Sequence, residues 1–499
     1  MVKIPSRGYS EDELMRQLEA FKKDDIDWRS GRTMGYIYNP GLKTEELGKK
    51  AYTMFLTENA LDPTIFQSLM RIEKDLMGMA ASHLGGDDKV VGTFTSGGTE
   101  SILLAVKTAR DFCRAKHPTI TQPEMVLPMT AHAAFYKAAE YFDITPVRVP
   151  VDEKSFRADA SQMKDAITDQ TILIVGSAPS YAHGVVDPIP ELGQIAIDHG
   201  VLFHVDACVG GFMLPYYRRL GQIFPDFDFT VPGVTSISMD FHKYGYTPKN
   251  ASIVLYRTKD LRRFQFFACA RWPGYSVINS AVQSSKTGGP LAAAWAVVKF
   301  LGDEGYLEIA QRTRDATQRI IQGIERIEGL RLMARPDLCM FSFTSDAIDV
   351  FHIIDEMKVR GWYIQPQLTF ENSRKNIHIS INESNADLAE EFLQDLKISV
   401  ENAKSLETTK LASEIQSLIT GGGADDLSDQ DISQMMSLVG VEGDRMPSRM
   451  AEINEILNVL PPSLRERLLI GFLNDLFVQP QEGSQEDLLH ESEEGNDGI

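Results

Sequence analysis

The sequence predicts an α/β protein: an open, mostly parallel sheet covered by helices on both faces, followed by a smaller α+β domain. Between about 90 and 260, short β-branched runs alternate with stretches of helical period, the rhythm of a parallel sheet wound with helices. Beyond about 303 the rhythm changes to shorter strands and longer helices. At 499 residues the chain also exceeds one simple core, which favours more than one domain.

In chain order, residues 1–60 read as an arm. Ser10 with Glu13 makes a capping box ahead of a mixed-charge helix to about Lys23. The Gly- and Tyr-rich segment 31–41 reads as an irregular loop. A large domain is expected over 61–303. It opens with an amphipathic helix at 64–84, where Ile65, Leu69, Ile72, Leu76 and Met77 keep helical spacing. Strands are expected at 90–95, 125–127, 146–149, 172–176, 202–205, 236–239 and 252–256, with helices at 99–115, 133–142, 160–167, 190–199 and 290–302. A small domain follows at 304–403: a helix at 305–327, strands at 330–334, 340–344, 363–365 and 378–381, and helices at 348–359 and 386–403. Residues 404–499 form an extension with a helical pair at 450–476, broken at Pro461-Pro462, and an acidic end expected to be disordered.

Composition excludes several classes. The four cysteines lie far apart with no C-x-x-C pair, which argues against a disulfide scaffold or a structural zinc cluster. A net charge of −20 argues against a nucleic-acid partner. No apolar run approaches the length of a membrane span, and the N-terminus lacks the apolar core of a secretory signal. A soluble, cytoplasmic protein with no bound metal is the expectation.

Three motifs fall at predicted strand ends, where ligands of such sheets sit. Thr95-Ser96-Gly97-Gly98-Thr99-Glu100-Ser101 joins a strand to a helix; its glycines and the helix N-terminus make a cradle for an anion. The plain alternative is an ordinary capping turn, and neither the Walker nor the Rossmann spacing is met. In His204-Val205-Asp206-Ala207-Cys208, Asp206 ends an apolar strand, where a carboxylate can hold a cationic ring nitrogen or a metal, or simply cap the next helix. Lys243, in Ser238-Met239-Asp240-Phe241-His242-Lys243-Tyr244-Gly245-Tyr246, follows a strand beside aromatics. Desolvation there would lower its pKa and make the amine nucleophilic; a solvent-facing loop lysine is the ordinary alternative.

Each motif alone is weak, but their order is informative. An anion cradle, then His132, then Asp206, then Lys243 supplies what a cofactor with a phosphate, a protonatable pyridine nitrogen and an aldehyde needs. That cofactor is pyridoxal 5'-phosphate.

Over roughly 30–400 the chain resembles the group II decarboxylase family of fold-type-I pyridoxal-phosphate enzymes, and within it the sphingosine-1-phosphate lyase branch. The resemblance is carried by 95–101, Ala131-His132-Ala133-Ala134-Phe135, His183-Gly184-Val185-Val186-Asp187-Pro188, 204–211, and 233–238 leading into His242-Lys243-Tyr244-Gly245-Tyr246. It implies a seven-stranded sheet and a homodimer with shared active sites. It implies that Lys243 is the Schiff-base lysine, that Asp206 pairs with the ring nitrogen, and that His132 stacks on the ring. Ser96, Gly97, Gly98 and Thr99 would hold the phosphate, His242 would flank the lysine, and Gly288 and Gly289 would reach the phosphate of the neighbouring subunit.

The substrate residues depart from the pattern. Tyr38, Asn59 and Lys249 match three of four family positions around a substrate phosphate, but the fourth is Asp62 instead of His. A carboxylate there would repel a phosphate by roughly 1 kcal/mol at about 4 Å even in water. Val277 replaces a family tyrosine, with Tyr275 two residues away, and Ser285-Lys286-Thr287-Gly288-Gly289 lacks the family's arginine. The expected function is a carbon–carbon lyase that splits a phosphorylated sphingoid base into a long-chain aldehyde and phosphoethanolamine. An amino-acid decarboxylase is the alternative, and a non-catalytic scaffold the remote one. For the general base, His183, Tyr246 and Lys243 all remain open.

Overall fold

The computed structural model describes residues 2–62, 64–406, 412, 415, 417 and 447–478. The acidic terminus expected to be disordered lies outside them. Two units emerge from the contacts: residues 28–405, and a second unit drawn from 1–27 and 406–499.

The larger unit begins with α2 (Leu42–Met54), after α1 (Glu11–Phe21) of the other unit, and continues with α3 (Gln67–His83). Seven strands then build the main sheet: β1 (Val91–Thr95), β2 (Glu124–Pro128), β3 (Thr145–Val149), β4 (Thr171–Ser177), β5 (Leu202–Asp206), β6 (Ser236–Asp240) and β7 (Ser252–Tyr256). Between them run α4 (Gly98–Lys116), α5 (Ala134–Phe142), α6 (Ala160–Asp165), α7 (Ile189–His199) and α8 (Leu214–Arg219). The strand order is β1-β7-β6-β5-β4-β2-β3. Strands β2 to β6 pair in parallel, whereas β7 runs antiparallel to both β1 and β6. Every residue of β4 and β6 is buried, as central strands covered on both faces require. Helix α4 packs against β6 and β7, and α7 against β4 and β5.

After the short α9 (Lys259–Arg262) comes a hairpin of β8 (Phe267–Cys269) and β9 (Val277–Asn279). Helix α10 (Gly289–Ile324) joins the main sheet to the second one. The two helices expected here merge across a kink at Gly302, whose φ of 60° suits a residue without Cβ. The second sheet is antiparallel, ordered β10-β11-β13-β12, from β10 (Leu330–Leu332), β11 (Met340–Ser345), β12 (Gln365–Gln367) and β13 (Asn376–Ser380). Helices α11 (Val350–Val359) and α12 (Ala389–Ala403) accompany it.

The arm boundary needs correction: residues 28–60 belong to the larger unit. Met34 N–H donates to the Tyr363 carbonyl at 2.9 Å, and the unanticipated α2 packs on α10, Gly48 lying against Pro248 and Val297. Helix α2 was hidden because its apolar residues are few; only Thr44 and Gly48 are buried.

In the other unit, Ser10 caps α1 by accepting from Glu13 N–H, and α1 buries none of its residues. Helices α13 (Ala451–Val459) and α14 (Pro462–Leu476) enclose a cluster of Ile415, Ile453, Ile456, Leu460, Leu464 and Leu468. Among the described residues, no helix is long and apolar enough to cross a membrane.

Candidate active site

A cavity of about 420 Å³ opens where the parallel strands end. The turn between β1 and α4 gives it Ser96, Gly97, Gly98 and Thr99; β5 gives Asp206; the turn after β6 gives His242 and Lys243, with Lys249 beyond; and His132 closes it from the turn before α5.

The turn after β1 is shaped by Glu100, a buried carboxylate that accepts from Ser96 N–H at 2.6 Å and from Val282 N–H at 2.7 Å. Thr95, Ser101 and Ser252 hydroxyls link it to β7 at 2.6 and 2.9 Å. The N–H groups of the first turn of α4, which intrahelical carbonyls cannot reach, belong to residues that line the cavity. Gly98 is required there: a Cβ would stand 2.8 Å from Cys208 Sγ and 2.9 Å from Asp240 Oδ2.

At the end of β6 lies Asp240, 1 % exposed, with neither carboxylate oxygen accepting a well-formed hydrogen bond. Its Oδ2 is 2.9 Å from Lys243 Nζ and 3.7 Å from His242 Nε2. Burial alone would raise the Asp240 pKa, but the Lys243 ammonium, and to a lesser degree His242, holds it below the ordinary carboxylate range. Burial likewise opposes the charge on Lys243, and the Asp240 carboxylate outweighs it, so the lysine pKa is raised. This reverses the expectation of a desolvated, depressed lysine. The ammonium is paired, and covalent chemistry at Nζ requires its proton to leave. Lys249, at the rim, donates to the Tyr36 carbonyl at 2.7 Å; burial, then the charge on Lys243, lowers its pKa.

Asp206 is 8 % exposed; its Oδ1 accepts from Cys208 N–H at 3.1 Å and from the Ser238 hydroxyl at 3.2 Å. Oδ2 is left for whatever occupies the cavity. His132 is exposed at the mouth, its Nδ1 accepting from Ala134 N–H at 3.2 Å, which leaves Nε2 to carry the proton.

The donor set fits pyridoxal phosphate. A glycine cradle under a helix N-terminus, a half-committed carboxylate on a strand end and a lysine Nζ line one cavity, with a flat imidazole over its entrance. Lys243 would carry the cofactor, Asp206 would face its ring nitrogen, His132 would cover its ring, and 96–99 would hold its phosphate.

The family model described as the pyridoxal-dependent decarboxylase conserved domain matches residues 40–345. The chain belongs to this family. It is a pyridoxal-phosphate-dependent lyase, and its cofactor is pyridoxal 5'-phosphate. A second model, a putative helix-turn-helix domain at the C-terminus of pyridoxal-dependent enzymes, matches 413–475. Among similar proteins, the sphingosine-1-phosphate lyase of Arabidopsis thaliana is 42% identical over 410 residues, covering 81% of this chain and 74% of the relative. The L-aspartate decarboxylase of Thermococcus kodakarensis is 32% identical, covering 79% and 98%. Among solved structures, the sphingosine-1-phosphate lyase of Burkholderia pseudomallei K96243 superposes with a TM-score of 0.77 at 34% identity, covering 84% of this chain and 97% of that one.

Six of the anticipated site residues do not line the cavity: Tyr38, Asn59, Asp62, Tyr246, Gly288 and Gly289. Tyr38 borders it, its ring 5.3 Å from Lys249 Nζ and edge-on to Tyr244; burial raises its hydroxyl pKa. Asn59 and Asp62 lie elsewhere. Residues 58–60 are zipped to 286–288 through Ala60 N–H to Lys286 O at 2.8 Å and Gly288 N–H to Glu58 O at 2.9 Å. Asp62 is turned onto Thr64, accepting from its N–H at 2.8 Å and its hydroxyl at 2.6 Å. Gly288 faces Leu69, and Gly289 faces Tyr52.

Of the three candidate bases, only Lys243 lines the cavity. His183 is buried and stacks on Phe156 at 3.9 Å, and burial lowers its pKa to about 4. Tyr246 is buried with its hydroxyl accepting from Glu383 N–H, and burial raises its pKa. Sequence reading passed over Asp240, Tyr181 and Glu100. Asp240 stands three residues before Lys243 at the end of a strand, the one signal that could have marked it. Tyr181, its hydroxyl donating to Gln365 and burial raising its pKa to about 12, follows a strand too short in polar character to flag.

Proposed function

We propose that this protein is a carbon–carbon lyase acting on a phosphorylated sphingoid base or related phosphorylated amino alcohol, releasing an aldehyde and a phosphorylated amine. The observation that carries the reading is the cationic rim: Lys249 lines the same cavity as Lys243 and lies over Tyr38, so a substrate phosphate can be held while its amine reaches the cofactor. Asp62, whose charge would oppose a phosphate, is committed to Thr64 and absent from that cavity. Similarity to sphingosine-1-phosphate lyases from plants and bacteria supports the same choice.

When bound, pyridoxal phosphate supplies an electron sink for the carbon whose bond is broken. The chain would do the rest. Asp206 would keep a counter-charge beside the ring nitrogen, His132 would cover the ring and exclude water, and Lys249 with Tyr38 would orient the substrate. We assign removal of the substrate hydroxyl proton to Lys243, the one of His183, Tyr246 and Lys243 that lines the cavity; its ammonium, paired with Asp240, has to give up a proton before it can take one.

We also propose a homodimer with shared sites. Asn59 and the 285–289 loop sit together but outside their own chain's cavity, and Met54, Ile65, Ile278 and Val282 of the same unit are exposed apolar residues. A second chain would bring them to the rim.

A decarboxylase is the second reading, favoured by Asp62 standing where the lyase pattern has His and by the similarity to an L-aspartate decarboxylase. Parallel assays decide. Aldehyde released from a sphingoid phosphate supports the lyase; carbon dioxide from an amino acid, with no aldehyde, overturns it.

A further inference from the structure

We propose that Ser238 and His204 are positioning residues for Asp206: with Ser236 they form a one-way hydrogen-bond chain ending on its carboxylate, and this chain sets how firmly the cofactor's ring nitrogen keeps its proton. The inference rests on the reading that Asp206 faces that nitrogen.

Strands β5 and β6 are parallel neighbours, in register His204 to Ser236 and Asp206 to Ser238. Alternation along a strand puts His204 and Asp206 on one face, and Ser236 and Ser238 on the same face of the next strand. The polar atoms form an unbroken line: Ser236 Oγ to His204 Nδ1 at 2.9 Å, His204 Nε2 to Ser238 Oγ at 3.2 Å, and Ser238 Oγ to Asp206 Oδ1 at 3.2 Å. All four residues are buried, and none of these atoms is left unsatisfied.

Hydrogen-bond supply fixes the direction. An ionised carboxylate only accepts, so the Ser238 hydroxyl donates to Asp206. Ser238 oxygen must then accept from His204 Nε2–H. A neutral imidazole has one N–H, so Nδ1 accepts from Ser236. Burial lowers the His204 pKa to about 4, which keeps the ring neutral at ordinary pH. The Cys208 thiol also reaches Ser238, but burial raises its pKa, so no second anion competes for that hydroxyl. Every proton in the line points toward Asp206. Two donors, Ser238 O–H and Cys208 N–H, hold Oδ1 and leave Oδ2 directed by them. A buried histidine satisfied by two serines could be mere core filling. Its termination on Asp206, the cavity-lining carboxylate read as the partner of the ring nitrogen, is what gives the line a function.

Nuclear magnetic resonance of the holoenzyme tests this in two ways. With [15N]histidine, His204 should show a protonated Nε2 and a bare Nδ1. With [15N]pyridoxal phosphate, Ser238→Ala should lower the pH at which the ring nitrogen loses its proton by about one unit and weaken cofactor retention about tenfold, the scale of one hydrogen bond to a charged group. His204→Gln, which keeps an amide donor, should shift it less, and Ser236→Ala least. Asp206→Ala separates the two levels. If it moves the ring-nitrogen titration and Ser238→Ala does not, or if His204 carries its proton on Nδ1, the positioning chain is refuted. If Asp206→Ala leaves that titration unchanged, the reading of Asp206 itself fails.

Discussion

The cofactor cavity and the segment around Asn59 and Gly288 are both assigned to one reaction, yet they are built differently. Cavity residues hang on the ends of β1, β5 and β6, where the sheet fixes the backbone, and one chain brings them together. Asn59, Asp62 and 285–289 lie on loops zipped to each other and excluded from that cavity. With the shared sites proposed above, the chemistry would be complete within a chain, whereas substrate selection would draw on two. Strand-end residues take the places their motifs imply; the loop residues do not reach the cavity of their own chain.

The largest effects should come from the cavity. Lys243→Ala should reduce turnover at least about 1,000-fold and abolish the absorption band of the lysine-bound cofactor, read by stopped assay and spectrum. Asp206→Asn should cost on the order of 100-fold in kcat, because the ring nitrogen loses its counter-charge. If Lys243→Ala retains the band, the two regions do not differ as stated.

Mixed assemblies sharpen the comparison. Lys243→Ala chains and Asn59→Ala chains, each inactive or weak alone, should recover about a quarter of wild-type activity when co-expressed, because half the dimers then hold one intact site. No recovery would mean that both groups act within one chain. Lys249→Gln should raise KM for a phosphorylated substrate about tenfold with little change in kcat, the loss of one charge-assisted contact.

Two smaller effects concern stability. Burial lowers His183 and His204 to about 4 and His378 to about 3, against an ordinary value near 6.5. Their folded pKa values lie below the unfolded ones, so the unfolded chain binds more protons as pH falls. Stability is full above about 6.5 and should decline as pH drops toward 4, seen as a Tm falling by several degrees. Asp62→Ala should lower the denaturant midpoint only slightly, through its lost turn bonds to Thr64, and leave the cofactor spectrum unchanged.

Much of the fold was legible because the central strands β4, β5 and β6 are buried and largely apolar and end in Ser or Asp. The seven main strands lie within two residues of their expected positions. Helix α2 and the β8–β9 hairpin were not legible: α2 buries only Thr44 and Gly48, and Phe267 and Ile278 of the hairpin stay exposed, so neither carries an amphipathic signal. In the site, Lys243, Asp206 and 96–99 could be read from motif order. The raised pKa of Lys243 could not, because it comes from Asp240, a residue whose charge matters only once β6 buries it beside the lysine.

Hydride trapping of the purified protein with its cofactor, followed by proteolysis and mass spectrometry, puts the whole account at risk in one step. A reduced pyridoxyl adduct on the peptide bearing Lys243 is the expected result. An adduct on another side chain such as Lys249, or none, would contradict it.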